Sequence, residues 1–246
     1  MKDRLNNSRL VLQDVSLSFG TMPVIQNLSL TVNSGEFVVM VGPSGCGKTT
    51  ILNLLSGYMR PGLGSIKTEG VIRTVYQQDG LFPWLTVSEN ISMGLRSLKD
   101  SVHREKELRS LFELIRLEDF KNNYPHELSG GMRQRVELAR ALAGDSDILL
   151  MDEPFSALDY QTRLRMRYEL IRLLENRPRT VVFVTHDIEE AAQLADRVLV
   201  LSKRPATILQ ELQITSLKPR DLTDGEVIKA TRIILEKLGV LQEAII

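Results

Sequence analysis

The chain has 246 residues, 43% apolar and 25% charged, which is enough to bury a sizeable core as one large domain or two small ones. Lys+Arg and Asp+Glu both number 31, so there is no net field to draw in nucleic acid or an acidic membrane, and no long basic patch supplies a local one. Cys46 is the only cysteine, the start MKDRLNNSRL lacks the apolar core of a signal peptide, and no apolar run approaches the ~18 residues of a membrane span. These features predict a soluble protein of a reducing, cytoplasmic compartment.

In chain order, Leu10 to Phe19 (LVLQDVSLSF) and Val24 to Val32 (VIQNLSLTV) alternate apolar and polar residues around the turn GTMP, predicting an antiparallel hairpin with one wet face. Phe37 to Val41 (FVVMV) is apolar throughout, as a buried parallel strand is, and runs through GPSGCGKTT into a helical ILNLLSG. A further strand pair is expected around Ser65–Tyr76. From Val87 to about Leu142 the pattern is helical. Strands return as ILLMD (148–152), TVVFVT (180–185) and RVLVLS (197–202), alternating with helices at 160–176 and 188–195. That alternation implies βαβ units on a mostly parallel sheet. After Pro219 one amphipathic helix and a short apolar tail are expected.

Gly42-Pro43-Ser44-Gly45-Cys46-Gly47-Lys48-Thr49 fits the phosphate-loop pattern and lies between a strand and a helix, where that pattern works. Its glycines let successive N–H groups wrap phosphates, and the helix dipole adds partial positive charge. Lys48 is expected to reach the β/γ-phosphates, Thr49 to bind Mg²⁺, and Cys46 to contribute backbone only. Asp152 and Glu153 end an apolar strand. Alone they read equally as a charged turn, but paired with the phosphate loop they read as a metal carboxylate and a group beside the γ-phosphate. His186, at the end of TVVFVT, reads by itself as a hydrogen-bonded structural histidine near a ligand edge. A second anion site is expected at LSGGMRQR (128–135), where Ser129 before two glycines starts a helix from Met132 to Ala143.

Together GPSGCGKT, Gln77 in VYQQ, LSGGMRQR, ILLMDEP, Ser156-Ala157-Leu158-Asp159 and His186 resemble, in content and order, the ATP-binding subunits of ABC transporters, over nearly the whole chain. The resemblance implies an α/β fold of the P-loop NTPase type. About 1–86 and 143–218 form a mostly parallel core with an antiparallel β subdomain, about 87–142 a helical subdomain, and 219–246 a C-terminal helix and tail. It also explains the two anion sites: two ATPase domains pair head to tail, and Ser129, Gly130 and Gly131 of one cap the ATP on the phosphate loop of the other. Thr50 joins the phosphate-loop set. The resemblance further implies that Gln77 touches Mg²⁺ and water, Glu153 is the general base, His186 contacts the γ-phosphate and Asp159 communicates across the dimer. Phe19 stands where the family usually places a Tyr that stacks on adenine, so modest selectivity over GTP is expected.

Leu81-Phe82-Pro83-Trp84-Leu85-Thr86-Val87 suits a cleft for a permease helix. VYQQDGLFPWLTVSEN, Met132 in LSGGMRQR and LSKRPATI resemble the ATPases of nitrate, taurine, aliphatic sulfonate and bicarbonate importers, which work with separate permeases and a periplasmic solute-binding protein. A soluble ABC ATPase of iron–sulfur cluster assembly is the alternative, disfavoured by the Pro-Trp loop. A nucleic-acid role is not expected.

Overall fold

The computed structural model describes residues 8–76 and 80–240. Strands β1 (Ser8–Phe19) and β2 (Met22–Asn33) form the expected antiparallel hairpin, with Phe19 paired to Met22 across a two-residue turn. Val24, Ile25, Leu28, Leu30 and Val32 are buried, while the residues between them face water. The expected strands near 65–76 exist but do not pair with each other. β4 (Leu63–Thr68) lies antiparallel on β1, whereas β5 (Ile72–Val75) lies parallel to β6 (Ile148–Asp152) in a different sheet. The separation follows from Asp147, whose carboxylate accepts the Val71 N–H at 2.8 Å and whose own N–H donates to the Val71 carbonyl, so β5 is stitched to the start of β6.

The main sheet has the order β5-β6-β7-β3-β8-β9, with β3 (Phe37–Val41), β7 (Thr180–Thr185) and β8 (Arg197–Leu201) parallel to β5 and β6. β3, β6 and β7 are buried at every position, as a sheet covered on both faces requires. Alternation decides the faces. Phe37, Val39, Val41, Leu149, Met151, Val181 and Phe183 belong to a core shared with the helices that follow, whereas Val38, Met40, Ile148, Leu150, Val182 and Val184 belong to a second core under the hairpin. The edge strand β9 (Ile208–Gln213, ILQELQ) was not expected. It runs antiparallel to β8 with only half-buried inward positions, so its apolar signal is weak.

Helix α1 (Lys48–Leu55) follows β3 and packs Ile51, Leu52, Leu54 and Leu55 into the second core. Between β5 and β6 stand α2 (Val87–Gly94), α3 (Ser101–Ile115) and α4 (Gly130–Leu142), joined by two short 3₁₀ turns. Thr86 begins α2 with a full capping box: its hydroxyl accepts the Glu89 N–H, and the Glu89 carboxylate accepts the Thr86 N–H. α5 (Tyr160–Asn176) and α6 (Ile188–Leu194) complete the βαβ crossovers.

The last helix, α7 (Gly225–Lys237), begins six residues beyond Pro219 and buries Val227, Ala230 and Ile234 along one face. The intervening strap is held by the buried Arg220 guanidinium, which donates to the carbonyls of Ala195, Gln193, Ile214 and Ser216. Among the described residues no helix is long and apolar enough to cross a membrane.

Candidate functional site

β3 delivers the chain into the loop 42–47, and Gly47 becomes the N-cap of α1 with φ +124° and no side-chain cap. The first N–H groups of a helix have no partner inside it, so this end keeps donors to offer. Lys48 is 6% exposed, with Nζ turned back onto its own loop, 2.7 Å from the Gly42 carbonyl and 3.0 Å from that of Pro43. A cavity of about 270 Å³ opens here; its wall includes Ser44, Gly45, Gly47, Lys48, Thr49 and Thr50, and Phe19 and Met22 reach it from the hairpin turn. Glu153 and Arg204 close it. Cys46 buries its side chain in the second core. Gly42 packs against Leu201, where an added Cβ would lie 3.0 Å from the Leu201 Cβ.

β6 carries Asp152, 3% exposed, near the Thr49 hydroxyl. Burial raises its carboxyl above the usual carboxylate range and the Glu153 charge pushes the same way, while Thr49 and Lys48 oppose them. A desolvated carboxylate beside a hydroxyl gains from a cation. Among the described residues no group of three or more His, Cys, Asp or Glu could form an all-protein metal cage. One carboxylate and one hydroxyl fit Mg²⁺, which keeps waters and phosphate oxygens as its other ligands.

Glu153 adopts φ +48°, the left-handed region, which costs a non-glycine residue energy unless its surroundings hold it there. They do. Its N–H donates to the Val184 carbonyl at 2.9 Å, and its own carbonyl accepts from Gln134 Nε2 at 3.1 Å and Ser156 Oγ at 2.9 Å. Its Oε2 lies 3.0 Å from His186 Nδ1, so the two expected catalytic side chains meet.

Gln134 is a residue the sequence reading passed over although it stands inside LSGGMRQR. Buried on the inner face of α4, it also accepts the Ala157 N–H at 2.9 Å, so one amide ties the 128–135 stretch to both Glu153 and the loop 156–158. At the start of α4, Ser129 is an N-cap whose hydroxyl accepts the Met132 N–H at 3.3 Å. The helix thus begins at Gly130 rather than Met132. Gly131 lies against the Ala157 carbonyl, where an added Cβ would sit 3.1 Å away. Ser129 and Gly130 are exposed, and none of 128–135 lines the phosphate-loop cavity. One chain therefore brings together Phe19, Ser44 to Thr50, Asp152, Glu153 and His186, and leaves Ser129, Gly130 and Gly131 outside.

Asp159 caps α5, accepting the Thr162 N–H at 3.0 Å, a bond that holds its carboxyl below the usual range. One turn on, Arg163 donates to the Leu158 carbonyl at 3.2 Å and to Asp187 at 3.1 Å, and the fully buried Arg167 donates to Asp187 at 2.8 Å and Glu190 at 3.0 Å. These arginines join the 156–159 loop to the turn bearing His186. Gln77 lies outside the described residues. On either side of it the N–H groups of Tyr76 and Gly80 donate to the Glu137 carboxylate of α4, at 3.4 and 3.5 Å. Trp84 is 70% exposed and tilts against Phe82, whose ring receives the Arg140 guanidinium.

A two-faced, mostly parallel sheet with a phosphate loop at the end of β3 and a carboxylate pair at the end of β6 defines a P-loop nucleotide-binding protein. Residues 25–156 match the family model described as ABC transporter. The aliphatic sulfonates import ATP-binding protein SsuB of Bacillus anthracis is 38% identical over 237 residues, which is 92% of this chain and 94% of that protein. The taurine import ATP-binding protein TauB of Pelagibacter ubique is 39% identical over 221 residues, 84% of this chain and 83% of its own length. The ATP-binding cassette MJ0796, solved as a dimer in a post-hydrolysis state bound to ADP and Pi, shares 32% identity and a TM-score of 0.75, covering 85% of this chain and 100% of that one. The chain belongs to the ABC transporter family, as an ATP-binding ATPase.

Proposed function

We propose that the chain hydrolyses ATP to power import of a small anion of the sulfonate type through separate permease subunits, working on the cytoplasmic face of the membrane as one half of an ATPase dimer. The observation that carries the dimer is the split site: the phosphate loop opens into a cavity with Glu153 on its wall, while Ser129 and Gly130 are exposed elsewhere on the same chain. The substrate class rests on the names of SsuB and TauB, and those names also favour import over iron–sulfur cluster assembly. A periplasmic solute-binding protein would deliver the anion to the permease.

In this reading Lys48 leaves the Gly42 and Pro43 carbonyls for the phosphates, joined by the free N–H groups at the start of α1. Thr49 and Asp152, with Gln77, would hold Mg²⁺, which would supply positive charge against the phosphates. Glu153 takes the proton of the attacking water. His186, bonded to Glu153, contacts the γ-phosphate, and Ser129 of the second subunit holds developing charge from the other side. Phe19 offers its exposed ring to the base, and Asp159 faces the partner. The exposed Trp84, tilted against the half-buried Phe82, offers the aromatic surface on which a permease segment would dock.

The test is an affinity pull-down from detergent-solubilised membranes with Glu153→Gln, which keeps ATP in place. Recovery of an integral membrane permease is expected, and recovery of soluble partners alone would overturn the transport reading.

A further inference from the structure

Arg204 stands in the loop between β8 and β9, inside LSKRPATI, a stretch whose resemblance assigns it no role. The loop is tightly built: the Ser202 N–H donates to the Thr207 carbonyl at 2.9 Å, the Thr207 N–H returns a bond to Ser202 Oγ at 2.9 Å, and the Ala206 N–H donates to the Val24 carbonyl of β2 at 2.7 Å. Arg204 is exposed, yet its guanidinium is committed. Nε and Nη2 both donate to the Gly45 carbonyl, at 3.1 and 2.6 Å, and Nη1 lies 3.1 Å from Met22 Sδ. Gly45 and Met22 line the phosphate-loop cavity together with Phe19.

Gly45 has φ +72°, and a glycine peptide reverses at little steric cost. Unrestrained, its carbonyl is free to turn its negative end toward an arriving polyphosphate. We propose that Arg204 is a positioning residue of the nucleotide site, whose forked guanidinium fixes the Gly45 peptide and so preorganises the phosphate loop. The inference rests on the reading of this cavity as the ATP site. A fork onto one carbonyl needs Arg: a Lys ammonium keeps the charge but not the planar pair of donors. The carbonyl it restrains belongs to the loop, not to the base side, so the effect falls on phosphate affinity whatever base is attached.

The experiment measures ATPase kinetics of the full chain together with competition by inorganic tripolyphosphate. Arg204→Gln is expected to raise the KM for ATP about tenfold and to weaken tripolyphosphate by a similar factor, with kcat within about twofold, the pattern of lost ground-state organisation. Arg204→Lys is expected to behave like Arg204→Gln. An unchanged KM in Arg204→Gln, full recovery in Arg204→Lys, or a loss confined to ATP with tripolyphosphate unaffected would each overturn the clamp. Wild-type protein that binds neither ATP nor tripolyphosphate would instead overturn the nucleotide-site reading itself, and the clamp with it.

Discussion

Helix α1 begins behind a bare glycine N-cap and helix α4 behind Ser129, and the two ends differ in everything around them. At α1 the end is walled: Lys48 is folded onto its loop, Asp152 is buried near Thr49, and Arg204 grips Gly45. At α4 the end is open: Ser129 caps its own helix through Met132, and Ser129 and Gly130 face solvent. The first is most of a binding site without a lid. In the proposed dimer the second would be the lid for the other chain's site. Gln134 is the contact that keeps the two in register, because it reaches from α4 to the Glu153 carbonyl and to Ala157.

That contrast is sharpened most by Glu153→Gln. The substitution leaves both helix ends intact and removes only the proposed proton acceptor, so phosphate release should fall about 10²–10⁴-fold while ATP binding persists. A fall in ATP affinity large enough to explain the lost turnover would show instead that Glu153 belongs to the walled end's binding function.

Gln134→Leu should have a smaller effect that bears on the link between the two ends. It strips a partner from the Ala157 N–H and from the Glu153 carbonyl, a loss of about 1–3 kcal/mol. Melting should fall by about 2–4 °C per kcal/mol, the scale for a chain of this size. Hydrolysis should drop further than ATP affinity does, since Glu153 sits in a left-handed conformation that this amide helps to hold. Equal losses in both would leave Gln134 a packing residue only.

The smallest expected change is at Asp152. Its carboxyl is raised above the ordinary 3.8, chiefly by burial, so the native state holds the proton to higher pH than the unfolded chain does. The stability it contributes is complete below the unfolded value and lost as pH rises through the raised native value. At pH 7 the ionised, desolvated group is a net cost. Asp152→Asn should therefore raise the melting temperature of the ligand-free protein at pH 7, with the gain vanishing below the unfolded value, and should remove the further rise that Mg²⁺ with ATP gives wild type. A variant that melts lower at pH 7 would contradict the assignment of burial as the dominant cause.

The walled end was almost wholly legible in the sequence, because FVVMV, GPSGCGKT and the start of α1 are contiguous and the chemistry follows from their order. ILLMD and TVVFVT were legible as buried strands, whereas Asp152 and Glu153 alone read equally as a charged turn and His186 as a structural histidine; their meeting, with Glu153 Oε2 3.0 Å from His186 Nδ1, is visible only in the fold. Pairing was not. The strands near 65–76 were read as partners, yet Asp147 carries one of them into the main sheet, and no local pattern announces that bond. β9 was missed because an edge strand buries too little to show in ILQELQ. Gln134 and Arg204 were passed over because their meaning lies in distant partners: Glu153, nineteen positions on, and Gly45, 159 positions back.

The claim that the open end of one chain completes the walled end of another is tested most directly by mixing two inactive variants. Lys48→Ala removes the phosphate-loop lysine and Ser129→Arg blocks the α4 end, so neither should hydrolyse ATP alone, and Ser129→Arg should still bind it. Mixed in equal amounts they should recover about a quarter of the wild-type rate, because random pairing makes half the dimers mixed and each mixed dimer holds one intact composite site. No recovery on mixing, in variants that form mixed dimers, would contradict a site shared between subunits.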